Sequence, residues 1–215
     1  MKIAILGGTG PEGSGLGLRW AVTGHEVLIG SRLAEKGERI AAELKAEYPN
    51  GQITGTDNLA ATRAADIVVL TVPYEAQEPT LALVKDALAG KLLITVVAPT
   101  QKPKARVWRL PSGLSAAEEA QQLLGDDTHV VAALQNIGAH NLRDLDYHLD
   151  CDVLVCGDNR GDKELAIKLC TDAGFRGIDA GALQNASVVE GLTSILIGIN
   201  IRNKVKDAGI RITGI

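Results

Sequence analysis

Gly8-Thr9-Gly10-Pro11-Glu12-Gly13 carries the spacing G-x-G-x-x-G. An apolar run, Ile3-Ala4-Ile5-Leu6, stands before it, and a stretch with helical apolar spacing follows. In that setting the glycines have separate physical tasks. One permits a tight turn, one lets backbone approach a pyrophosphate, and one lets the helix lie close to the strand. The start of the helix then offers N–H groups and the positive end of its dipole to an anion. Pro11 suits the first helical turn, where its missing N–H is not needed. The pattern predicts a dinucleotide site over Gly8, Thr9, Gly10, Pro11, Glu12 and Gly13.

The second group of interest lies about 20 residues on, where a dinucleotide fold brings the adenosine ribose to the end of its second strand. A site for NAD carries Asp or Glu there to hold the 2′-hydroxyl. This chain reads Gly30-Ser31-Arg32, with no carboxylate. Ser31 can hydrogen-bond a phosphate, and Arg32 can grip one with its planar cationic fork. Lys36 stands four residues beyond Arg32, within reach of the same anion, and Thr9 can add a hydroxyl from the facing turn. The expected ligand is NADP(H), its 2′-phosphate held by Ser31, Arg32 and Lys36.

These residues need elements to hold them. Short apolar runs at Ile3–Leu6, Glu26–Ile29, Gln52–Gly55, Ile67–Val72 and Leu92–Val97 read as strands. Helical patterns at Leu16–Thr23, Ala34–Tyr48, Leu59–Ala65 and Glu75–Leu88 alternate with them. Parallel strands need crossovers of this kind, so the fold class is α/β, a doubly wound Rossmann-type parallel sheet. After an irregular basic loop over 99–114, Ser115 and Glu118 form a capping box for a helix to Leu124. Strands are expected at His129–Leu134, Val153–Cys156 and Gly177–Asp179, the last at an edge, with a helix over Asp162–Ala173. A last helix over Ala186–Lys206 is apolar on most of its circumference, through Leu192, Ile195, Leu196, Ile199 and Ile201. It must be buried against the sheet or a second subunit. The reading gives residues 1–180 to the NADP-binding domain and 181–215 to a small C-terminal helical part.

Composition excludes other classes. A net charge of −4 and 3% aromatic residues argue against a nucleic-acid binder, which needs basic faces or stacking platforms. No apolar run is long enough to span a bilayer, and four apolar residues are too few for a signal-peptide core, so a cytoplasmic location is expected. Cys151, Cys156 and Cys170 read as buried thiols, and no metal site is expected. His25 and His129 read as structural, His140 as a residue able to edge the cleft, and His148 as a surface residue. Asp144, Asp146, Asp150 and Asp152 read as a solvated acidic loop.

The match then goes beyond a generic dinucleotide fold. Ile5-Leu6-Gly7-Gly8-Thr9-Gly10, Gly24-His25-Glu26, Gly30-Ser31-Arg32 with Lys36, and Leu70-Thr71-Val72-Pro73 with Glu75 resemble the F420-dependent NADP oxidoreductases. So do Val155-Cys156-Gly157-Asp158, Asp179-Ala180-Gly181 and Val189-Glu190-Gly191-Leu192-Thr193. The resemblance implies hydride transfer between NADP(H) and the deazaflavin coenzyme F420, directly from ring to ring with no catalytic side chain. It implies that Val72, Pro73 and Ala76 flank the nicotinamide. Gln135, Ile137 and Ala139 would floor the cleft where the rings stack, and the segment near Ala208 would close the deazaflavin pocket. It also implies a homodimer built in part on the C-terminal helices.

Two positions depart from that family. It can carry His where this chain has Gln135, and Pro where it has Gly138. Gln135 keeps a donor and an acceptor but cannot titrate near neutrality. Lys102, Lys104, Arg106 and Arg109 form a basic patch that would suit the phosphate and glutamate tail of the deazaflavin. Two alternatives stay open at this stage. One is an NADPH-dependent reductase of another acceptor, such as a flavin, a ferric chelate or an imine. The other is a non-catalytic NADP(H)-sensing protein whose apolar C-terminal helix meets a partner.

Overall fold

Strand β1 (Lys2–Leu6) sends Ile3 and Ile5 to one face of the sheet and Ala4 and Leu6 to the other, all four without solvent contact. A strand apolar on both faces belongs inside a parallel sheet covered by helices on each side. The computed structural model describes residues 1–101, 105–148 and 150–215. After β1 come α1 (Pro11–Val22), β2 (Glu26–Ser31), α2 (Ala34–Glu47), β3 (Gln52–Asp57) and α3 (Asn58–Ala64). Then follow β4 (Ile67–Leu70), α4 (Tyr74–Leu88), β5 (Leu92–Thr95) and a two-residue hairpin, β6 (Thr100–Gln101) and β7 (Arg106–Val107). The chain closes with α5 (Ala116–Leu124), β8 (His129–Ala132), β9 (Asp152–Gly157), α6 (Arg160–Asp172), β10 (Arg176–Asp179) and α7 (Ala186–Asn203).

The large sheet has eight strands in the order β10-β9-β8-β5-β4-β1-β2-β3. From β3 through β8 every pairing is parallel. Helices α1, α2 and α6 cover one face, with Trp20 and Leu44 in its core, while α3, α4 and α5 cover the other, with Leu81 and Leu88. This is the expected doubly wound core. One direction differs from a uniformly parallel reading. Strand β9 runs antiparallel to β8, pairing Val131 with Gly157 and Ala132 with Cys156, and β10 then runs parallel to β9. The cause is the connection: the described residues between 133 and 151 hold only a short 3-10 turn at Ala139–Asn141, and without a crossover helix among them the chain returns antiparallel.

Helix α5 starts with the expected capping box. The Ser115 hydroxyl accepts from the Glu118 N–H, and the Glu118 carboxylate accepts from the Ser115 N–H. Helix α2 lies so close to β3 that a Cβ on Gly55 would stand 2.2 Å from the Gly37 carbonyl. In the basic loop, Arg106 and Arg109 are exposed, and Lys102 and Lys104 lie outside the described residues. Helix α7 is covered on one side only. Ala186, Val189, Glu190, Ser194 and Leu196 are buried, while Val188, Ile195 and Ile201 are 67%, 50% and 68% exposed.

The acidic loop needs a correction. Asp152 is fully buried rather than solvated. Arg176 binds its two carboxylate oxygens from Nε and Nη2, each at 2.7 Å, and the Ile212 N–H donates to Oδ2 at 2.6 Å. The Asp152 N–H donates in turn to the Ile210 carbonyl at 2.8 Å, so the C-terminal tail is tied to the start of β9. The sequence spacing of four aspartates hid this, because Arg176 comes from a strand 24 residues away. His25 and His129 have structural partners, His25 Nε2 to Asp172 at 2.9 Å and His129 Nδ1 to Asp162 at 2.6 Å.

The Arg176 hydrogen bonds hold the Asp152 carboxyl down to about 2, below its ordinary 3.8. A depressed carboxyl contributes stability that is full above the unfolded value and is lost as pH falls through the folded one. Unfolding measured against urea should therefore show the wild type losing stability between about pH 4 and pH 2. Asp152→Asn should start less stable at neutral pH and lose less across that window.

Candidate functional site

Three helices begin at one cavity. It measures about 720 Å³ and is lined by Gly7, Thr9 and Gly10 from the first turn, Ser31, Arg32, Leu33 and Lys36 from the second, and Thr71, Val72, Pro73, Ala76 and Thr80 from the third, with Asn58 between. It opens at the carboxyl ends of β1, β2 and β4, where open α/β sheets take their ligands. Gly10, Leu33 and Pro73 are the N-caps of α1, α2 and α4, and none offers a side-chain acceptor. The N-caps of α3, α5 and α6, by contrast, are Asp57, Ser115 and Asn159, and each accepts from its own helix. The first N–H groups of a helix have no partner within it. Three such starts facing one space make a positive field that an anion satisfies.

The glycines of the first turn divide by what their missing Cβ would strike. On Gly8 it would stand 2.7 Å from the Ile5 carbonyl, and on Gly13 2.6 Å from both Gly8 Cα and Thr71 Oγ1. Those two keep turn, helix and β4 in contact. The Gly8 N–H donates to the carbonyls of Ile5 and Gly30, at 3.1 and 3.0 Å, fixing the turn on β2. Gly10 tests the fit of a ligand. The nearest chain atom to its missing Cβ is 3.8 Å away, and its φ of −81° suits any residue. Nothing inside the chain demands glycine there, and Gly10 faces the cavity. Burial pushes the Glu12 carboxyl up to about 8, although the residue as a whole keeps some exposure.

Ser31 is buried at the end of β2, while Arg32 and Lys36 are exposed at the cavity rim. Asn58 was not singled out by the sequence. It is 2% exposed, and its Oδ1 accepts from the Gly7 N–H at 3.4 Å. Gly7 itself has φ of 73°, and a Cβ there would meet Val72 Cγ1 at 2.5 Å. Gly7 and Thr71 stood inside quoted motifs, whereas Asn58 carries no signal of its own, since only the β3–α3 crossing brings it to the turn.

Comparison with known proteins agrees with this geometry. Residues 2–99 match the family described as NADP oxidoreductase coenzyme F420-dependent. A protein of Methanothermobacter marburgensis described as an F420-dependent NADP reductase is 44% identical over 223 residues, covering 100% of this chain and 99% of that one. The chain belongs to the F420-dependent NADP reductase family. A family member from Methanocaldococcus jannaschii is 40% identical over 225 residues, covering 100% and 99%. A crystal structure from Arthrobacter sp. FB24 has a TM-score of 0.84 over 100% of both chains at 24% identity, which bears on the fold alone.

The reductase residues expected on the acceptor side lie elsewhere. Gln135, Ile137, Ala139 and Ala208 are not among the lining of the first cavity. They gather beyond the carboxyl end of β8. Leu134 has φ of 73°, a strained value for a branched side chain. It turns Gln135 back onto β5, where Gln135 Nε2 donates to the Thr95 carbonyl at 2.9 Å. The Gln135 carbonyl accepts from Thr193 Oγ1 of α7 at 2.8 Å, and Gln135 Oε1 is buried with no partner among the described residues. Ile137 is buried in the core. Gly138 and the Lys206 carbonyl stand side by side, and His140 Nε2 pairs with Asp207 Oδ1 at 2.7 Å. The Ala208 N–H donates to Asn200 Oδ1 at 2.9 Å. The expected cleft floor and closing segment therefore meet each other.

A second cavity, about 320 Å³, runs between the basic loop and α7, with Trp108, Arg109, Ser187 and Glu190 among its lining. Glu190 is 4% exposed and accepts from the N–H groups of Ala116 and Ala117 at 2.9 and 3.0 Å. Burial pushes its carboxyl up to about 7. Tyr74, next to Pro73 of the first cavity, donates to Glu119 at 2.7 Å and meets Trp108 edge-on at 5.3 Å. Burial, with that hydrogen bond, pushes its phenol up to about 12. These contacts hold α4, α5, α7 and the basic loop in one arrangement around the two cavities.

The glycine geometry separates binding from folding. Gly10→Ala should lose under about 1 kcal/mol of stability yet bind dinucleotide poorly. Gly13→Ala should lose about 1–3 kcal/mol by overpacking. Thermal unfolding without ligand, set beside NADPH fluorescence titration, reads both quantities.

Proposed function

We propose that the larger cavity holds NADP(H), with the first turn, Gly8 to Gly13, on the pyrophosphate. Ser31, Arg32 and Lys36 take the 2′-phosphate, and Val72, Pro73 and Ala76 flank the nicotinamide. The convergence of three uncapped helix starts on a rim bearing Arg32 and Lys36 carries this reading. The enzyme is an oxidoreductase that transfers a hydride between NADP(H) and coenzyme F420. The two coenzymes supply the hydride chemistry when bound, so the chain needs no nucleophile or general base of its own. Its residues bind, orient and exclude water. Gln135, Ile137 and Ala139 form the floor on the deazaflavin side, and the segment at Ala208 closes it. Gln135 Oε1, buried without a partner among the described residues, is an acceptor ready for an N–H donor. Arg106 and Arg109 on the basic loop give the anionic tail of the deazaflavin a cationic neighbour.

In this reading residues 1–180 form the NADP-binding domain, and 181–215 close the cleft and carry the homodimer contact. The exposed Val188, Ile195 and Ile201 on α7 support that contact. Among the described residues no helix is long and apolar enough to cross a membrane. The three cysteines are free and buried, which suits a reducing cytoplasm.

The reading is tested by mixing the protein with NADPH and oxidised F420 and following loss of the deazaflavin's visible absorbance. NADH replaces NADPH in one control and FMN replaces F420 in another. Bleaching is expected with NADPH and F420 together. Tight NADPH binding without bleaching would remove F420 as the acceptor. Charge-assisted hydrogen bonds contribute about 1.5–3 kcal/mol, so Arg32→Asp should raise the KM for NADPH by about tenfold to a hundredfold. The KM for NADH should change far less, and equal losses would remove Arg32 from the 2′-phosphate.

A further inference from the structure

Arg19 stands in the last turn of α1 with 8% of its surface exposed. Its guanidinium donates from Nε to the Leu142 carbonyl at 2.7 Å, and from Nη2 to the carbonyls of Asp144 at 2.8 Å and Tyr147 at 3.1 Å. Nη1 donates to the Ala173 carbonyl at 3.1 Å, at the carboxyl end of α6, and the group lies 5.7 Å from the centre of the Phe175 ring. All four acceptors are main-chain carbonyls, and three belong to one loop. Burying a cation is costly unless hydrogen bonds replace its water. Here that cost is met to hold a stretch that, from Arg143 to His148, has no helix or strand of its own. Only a planar fork of five N–H donors reaches four carbonyls spread in this way.

The same loop touches α1 one turn earlier. A Cβ on Gly15 would stand 2.3 Å from Leu142 Cβ, and Gly15 and Arg19 are four residues apart on one helix face. At its other side the loop grips the C-terminal turn. His140 pairs with Asp207 at 2.7 Å, next to Ala208. One helix thus begins at the phosphate turn and ends on the loop that carries the acceptor-side residues. From Pro11 to Arg19 it spans about 12 Å.

We propose that Arg19 is a positioning residue for the reaction, fixing the 139–147 loop and the Lys206–Ala208 turn relative to the helix that starts at the NADP phosphates. This rests on the reading that Gln135, Ile137, Ala139 and Ala208 hold the deazaflavin. A pocket wall already held in its bound arrangement spares the ligand the cost of ordering it, so loosening that wall weakens binding. Loosening the loop therefore impairs the deazaflavin half of the reaction and spares NADP binding.

The test is steady-state kinetics with both substrates varied, on Arg19→Lys, Asp207→Asn, the double variant and Gln135→Ala. Arg19→Lys keeps the charge but cannot reach four carbonyls. It should raise the KM for F420 by about tenfold to a hundredfold, with the KM for NADPH unchanged. Asp207→Asn, at the half-exposed far end, should act in the same direction, and the double variant should be no worse than Arg19→Lys alone. If Arg19→Lys lowers the melting temperature but changes neither KM, or raises both equally, the role is structural and the proposal falls. If Arg19→Lys does not fold, Asp207→Asn decides, and an unchanged F420 KM there overturns the proposal. If Gln135→Ala raises the F420 KM while Arg19→Lys and Asp207→Asn do not, only the positioning role fails. If none of the variants changes it, the acceptor-side assignment fails as well.

Discussion

Three helix starts left without side-chain caps are tolerable only if something else satisfies their N–H groups, and much of the architecture serves that condition. The turns at Gly10, Leu33 and Pro73 face the same space because β1, β2 and β4 are neighbours in the sheet and run in one direction. Parallel register brings their carboxyl ends level, and right-handed crossovers send each following helix away from that edge. Gly8 and Gly13 then bring α1 close to β1 and β4, where any larger residue would hold the helix off. The proposed anion site is a consequence of strand order, and in that reading the charged residues at its rim add selectivity to a field the backbone already supplies.

The legible part of the molecule is the part governed by local sequence. The glycine turn, the alternation of strands and helices through Thr95, and the Ser115 capping box follow from residues close to one another in the chain. So does the missing carboxylate after β2, because it is defined by an address within one βαβ unit. The doubly wound core was visible for the same reason. The reversal at β9 was visible only as an absence, a stretch after Leu134 with no helical pattern to carry a crossover.

The illegible part depends on partners far apart in sequence. Asn58 reaches the Gly7 N–H across 51 positions, and Arg19 reaches the loop carbonyls across more than 120. Asp152 resembled its solvated neighbours until β10 supplied Arg176. Glu190 looked like one residue of a motif on an apolar helix, whereas it closes the start of α5. Each is a polar group satisfied by tertiary contact, and hydrophobic periodicity carries no information about such pairings. The acceptor side was read by resemblance alone, and its residues do meet, through Gly138, His140 and Asp207.

In the proposed site, choice of dinucleotide and strength of binding rest on different kinds of group. Gly8, Gly13 and Ser31 are enclosed by chain, while Arg32, Lys36 and the helix start at Leu33 stand in solvent. Attraction between exposed charges is screened over about 8 Å at physiological ionic strength, and a buried hydroxyl feels far less of this. In concentrated electrolyte the enzyme's preference between the phosphorylated and unphosphorylated forms therefore narrows. What discrimination survives there falls to the buried Ser31 hydroxyl, so the salt content of the cell becomes one of the settings of the enzyme's cofactor choice.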